Sequence, residues 1–108
     1  MAQQGMKMIK EGEWTFFQFS GAPTVVIAER KFTWYDQEKF NDASDALREQ
    51  KCRVFMDESD ENSQYYKQGK RKHTRFEVYK KYKDKNFQRN AEELLRQLEE
   101  LFDGCETL

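Results

Sequence analysis

Residues 86–103 read NFQRNAEELLRQLEELFD, and this stretch decides the fold. Phe87, Ala91, Leu94, Leu95, Leu98, Leu101 and Phe102 recur every three or four positions, which lines one face of an α-helix. Arg89, Glu92, Glu93, Arg96, Gln97, Glu99 and Glu100 take the other face. Asn86 and Asn90 are both good N-caps, the latter with Glu93 three residues on. Gly104 stands where a left-handed C-cap is expected. Helices this short are marginal in water on propensity alone, so the apolar stripe predicts a partner surface. The preceding segments predict a sheet for that role.

Immediately upstream, residues 73–82 alternate as a strand. Thr74, Phe76, Val78 and Tyr82 point inward, and His73, Arg75, Glu77, Tyr79 and Lys81 point the other way. Residues 51–56 alternate likewise, with Cys52, Val54 and Met56 opposite Arg53 and Phe55. Between the two, residues 57–72 form a polar run without periodicity, which predicts a long loop. Asp36 begins a thinner helical stripe of Phe40, Ala43, Ala46 and Leu47 that runs to about residue 50. Residues 13–20 and 24–34 predict two strands joined by a turn at Gly21-Ala22-Pro23. In the first strand Trp14 and Phe16 face one way, and Phe17 and Phe19 the other.

The predicted order is β-β-α-β-β-α: an α+β fold with a single antiparallel sheet of about four strands and helices packed on one face. Residues 12–104 form one domain, with 1–11 as a flexible N-terminal lead and 105–108 as a flexible tail. The chain's 108 residues suffice for one modest core.

Charge is segregated. Residues 67–89 hold ten basic side chains against Glu77 and Asp84, while Asp57, Glu58, Asp60 and Glu61 make an acidic stretch just before them. The net charge of −1 therefore hides strong local fields. Cys52 and Cys105 do not form a disulfide framework, which predicts a reduced, intracellular protein, cytoplasmic or nuclear. The start MAQQGMKM is polar and no window approaches ~18 continuous apolar residues, so neither a signal peptide nor a membrane helix is expected.

No catalytic pattern is present. His73 is the one histidine and has no partnered Ser or Cys, and Gly69-Lys70-Arg71 lacks the spacing of a phosphate-binding loop. The acidic stretch lacks the glycine and terminal glutamate of a calcium loop. The expectation is a non-enzymatic binding domain without cofactor or metal.

Two binding readings compete. In the first, Lys67, Lys70, Arg71, Lys72, Arg75, Lys80, Lys81 and Lys83 meet the phosphates of a nucleic acid, single-stranded by preference, while Tyr79 stacks on a base. The strand-then-helix ending is similar in topology to single-stranded nucleic-acid binders of the Pur-alpha kind, without a shared motif. The bland counterpart is that the lysines guard an edge strand against pairing. In the second, the protein is a small interaction or inhibitor protein. Its partner, or a second copy in a homodimer, meets an exposed aromatic sheet face through Phe17 and Phe19, with Asp57, Glu58, Asp60 and Glu61 as an acidic contact. Phe55, Tyr79 and either Phe32 or Trp34 are expected on the same face.

Overall fold

A two-residue turn at Gly12-Glu13 changes the strand count. In the computed structural model, which describes residues 5–33, 37–58 and 74–107, the chain opens with strand β1 (Met6–Glu11) folded back on β2 (Trp14–Phe19). Gly12 sits at φ 59, the left-handed region that tight hairpin turns give to glycine. The flexible lead expected over 1–11 is thus corrected for Met6–Glu11. β3 (Val25–Phe32), helix α1 (Gln37–Glu49), β4 (Arg53–Glu58), β5 (Thr74–Lys81) and helix α2 (Phe87–Leu101) follow. The result is a single antiparallel sheet of five strands in the order β1-β2-β3-β5-β4, with both helices on one face.

That face is the core. β2 supplies Trp14 and Phe16, β3 supplies Val26, Ala28 and Phe32, and β5 supplies Phe76 and Val78. α2 covers them with Phe87, Ala91, Leu94 and Leu98, and α1 with Phe40, Ala43 and Leu47. Ser44, rather than Ala46, completes the buried stripe of α1. At the centre the Phe102 ring meets Phe76 edge to face at 4.9 Å and Trp14 at 5.3 Å, a geometry that the aromatic quadrupoles favour. Phe32 belongs wholly to this core, which removes it from the open face; Trp34 lies outside the described residues.

Asn86 is the cap of α2, its side chain accepting from the Arg89 amide at 3.2 Å. Asn90 is instead buried, and it donates to Asp84 Oδ1 at 3.1 Å. The flexible tail expected over 105–108 is also corrected for residues 105–107. Arg30, buried at one end of the sheet, donates to the Cys105 carbonyl at 2.7 Å and to Thr107 Oγ1 at 2.8 Å. Thr107 also bridges Phe32. Burial lowers the Arg30 pKa, against the opposing pull of Glu13 and Cys105. Among the described residues, no helix is long and apolar enough to cross a membrane.

Candidate functional site

Strand alternation puts every second residue on the side that carries no helix, and the ladder aligns them into rows. Met8 pairs with Phe17, Phe17 with Ile27, Ile27 with Tyr79, and Tyr79 with Arg53. Beside that row Met6 pairs with Phe19. The expectation that Phe17 and Phe19 share a face turned away from the helices therefore matches their placement. Four large apolar side chains of this face stand well open: Met6 is 51% exposed, Met8 60%, Phe19 39% and Phe55 50%. Phe55 meets Tyr79 edge to face, with centroids 5.5 Å apart. Between Met6, Phe17, Phe19, Ile27 and Tyr79 lies a shallow cavity of about 180 Å³, closed on one side by Glu29 and Glu77.

The next row brings Glu29 opposite Glu77, an arrangement that repels when nothing lies between the carboxylates. Arg75 lies between them. Its Nη2 donates to Glu29 Oε2 at 2.9 Å and to Glu77 Oε2, and its Nη1 reaches Asp57 Oδ2 at 3.4 Å. Partial burial works to lower the Arg75 pKa, but the bonds and charge of Glu29 and Glu77 outweigh it and the net direction is up. Tyr79 Oη donates to Glu77 Oε1. That bond, burial and the nearby charge push the Tyr79 pKa up.

These contacts separate the residues of the nucleic-acid reading. Arg75 bonds three carboxylates and the Tyr79 hydroxyl bonds one of them, Glu77, so the middle of the open face carries an excess of negative charge. Lys80 points to the helix side, where its Nζ reaches Gln97 Oε1 at 3.3 Å and lies over the Tyr82 ring. β5 is an inner strand between β3 and β4, but its pairing with β4 stops at Tyr79, so Lys80 and Lys81 pair with β3 alone. Lys80, Lys81 and Lys83 do come together, in a cleft of about 690 Å³ that Lys51, Gln50, Thr24 and Tyr82 complete. Lys67, Lys70, Arg71 and Lys72 lie outside the described residues, as does His73.

Of the acidic residues, Asp57 joins the Arg75 cluster and Glu58 ends β4, where both had been expected in a loop. Asp60 and Glu61 lie outside the described residues. The sequence reading missed Met6, Met8, Ile27, Glu29 and Lys51. No local pattern marks Met6 and Met8, because Ile9 breaks the polar–apolar alternation that Lys7 would begin.

Among the described residues no group of three or more His, Cys, Asp or Glu side chains is placed to hold a metal. Cys52 is buried, and burial pushes its thiol pKa up, away from nucleophilic chemistry. Comparison with protein-family models, curated proteins and solved structures gives no match, so the surface is read on its own chemistry.

Proposed function

We propose that this chain is a non-enzymatic protein-interaction domain whose binding surface is the open face of the sheet, and that a second copy occupies that face in the free protein. The observation that carries this reading is the unbroken row Met8–Phe17–Ile27–Tyr79, flanked by Met6, Phe19 and Phe55. Leaving such a patch in water forgoes roughly 25 cal/mol for each Å² of apolar area that a partner would bury. Monomers rarely keep a contiguous apolar patch of this kind without a use for it.

The dimensions suit a sheet-on-sheet contact. Five strands spaced about 4.8 Å apart, each six to eight residues long at about 3.3 Å per residue, give a plane of roughly 400–500 Å² before side-chain relief is added. With relief and rim, this approaches the lower end of stable interfaces, about 600–800 Å² per partner. Two such faces stacked about 10 Å apart make a sandwich. Arg75 hydrogen-bonds Glu29, Glu77 and Asp57, so each of these carboxylates keeps a donor when the face closes, while the one guanidinium offsets one of their three charges.

Dilution from about 500 to 10 micromolar, followed by two-dimensional NMR, tests the reading. The amides of Met8, Phe17, Ile27 and Tyr79 should shift while those of Leu94 and Leu98 hold still. Open-face amides that ignore dilution would contradict a second copy as the occupant.

A further inference from the structure

Apart from the open face, and independently of how that face is used, four lysines converge at one end of the sheet. Lys80 and Lys81 are the last residues of β5 and project to opposite sides of it. Lys83 follows two residues later, and Lys51 comes from the turn between α1 and β4. The backbone there is well fixed. The Tyr82 amide donates to the Thr24 carbonyl at 2.8 Å, and Lys51 holds φ 66 at the end of α1.

Two ordinary explanations for these lysines fail. Two carbonyls at the end of α1 already have backbone donors, Leu47 from Gln50 and Cys52, and Arg48 from Lys51 itself, so neither needs the Lys51 ammonium as a cap. Among the described residues, moreover, none of the four lysines forms an ion pair with a carboxylate. Four like charges around one cleft repel one another, and the chain as a whole carries no positive excess to spread. An anion in the cleft removes that repulsion.

We infer that the cleft lined by Lys51, Lys80, Lys81 and Lys83 binds the phosphodiester backbone of a nucleic-acid strand, without reading its bases. The Tyr82 ring lies under the Lys80 ammonium and against the core, so it offers no stacking surface to a base. Thr24 and Gln50 add neutral polar groups at the rim. Recognition is then a matter of phosphate spacing and charge, and it falls with salt as counterion release requires.

The test is fluorescence anisotropy of the full chain with a labelled mixed-sequence single strand at about 50 and 200 mM salt. Four phosphate contacts at about 0.7 each predict roughly a 50-fold loss of affinity across that range. Replacing the exposed Lys51, Lys81 and Lys83 by Ala should reduce the loss to about 3-fold. A control with Lys10, Lys31 and Arg96 replaced by Ala makes the same change in net charge elsewhere, and should keep the 50-fold dependence. Lys83→Glu alone should weaken binding at low salt, and it serves if the triple variant does not fold. An absence of binding at 50 mM salt would overturn the inference. So would equal losses in the cleft and control variants, or inorganic polyphosphate binding where the oligonucleotide does not.

Discussion

Arg30 Nη2 donates to the carbonyl of Cys105 at 2.7 Å, joining residues that lie 75 positions apart in the sequence. The same guanidinium lies 4.4 Å from the centroid of the Phe32 ring, so its charge is held by a backbone oxygen, a hydroxyl and an aromatic face. Arg30→Met keeps the stem and removes the donors. The expected cost is about 1.5–3 kcal/mol, the usual range for hydrogen bonds to a charged group. Hydrogen exchange should also quicken at the Thr33 amide, which donates to the Glu106 carbonyl at 3.1 Å. A Thr33 amide that stays as protected as before would show that the C-terminal segment does not depend on Arg30.

Leu98 has no exposed surface, and its neighbour Glu99 is open to solvent. Leu98→Ala should lower stability by roughly 2–5 kcal/mol, and Glu99→Ala should change it little. Urea denaturation of the two variants reads the difference directly. Equal midpoints would remove α2 from the centre of the core.

Asp84 holds the start of α2. It accepts from the Asn86 amide at 2.9 Å and from Asn90 Nδ2 at 3.1 Å, and it pairs with Arg89. The Asn86 backbone bond does most to lower its pKa, and with Asn90 and Arg89 it outweighs the opposing effect of desolvation. The folded pKa therefore lies below the ordinary value of 3.8. The stabilisation is complete above that value and is lost as pH falls through it toward the folded pKa. Wild type should exceed Asp84→Asn in urea midpoint by a constant margin above about pH 5, and the margin should shrink in acid. A margin that grows in acid would reverse the sign and refute the assignment.

The helices and most strands were legible because their signals are local. The stripe of α2 and the alternation of β5 each lie within one stretch, and they give most of the buried residues, although Leu95, Leu101 and Tyr82 are only partly buried and Asn90 joins the buried side. β1 was not legible: Lys7 and Glu11 share its helix side with Ile9, and its pairing is settled by β2 rather than by its own composition. Phe19 and Phe17 were assigned to the open face by period alone. The fate of Arg75 was hidden, because Glu29, Glu77 and Asp57 come from three strands and only the register brings them round one guanidinium. Lys51 was likewise hidden, since it joins the lysines of β5 through the path of the α1–β4 turn.

Sedimentation equilibrium at tens of micromolar, on wild type and on Phe17→Asp, tests the binding role of the open face most directly. Wild type should approach twice the 13.1 kDa chain mass. Phe17→Asp should sediment as a single chain with an unchanged circular dichroism spectrum, because Phe17 packs outward from β2 and not among the core residues. Wild type sedimenting at 13.1 kDa, or Phe17→Asp unfolding instead of dissociating, would contradict the open face as the surface where two copies meet.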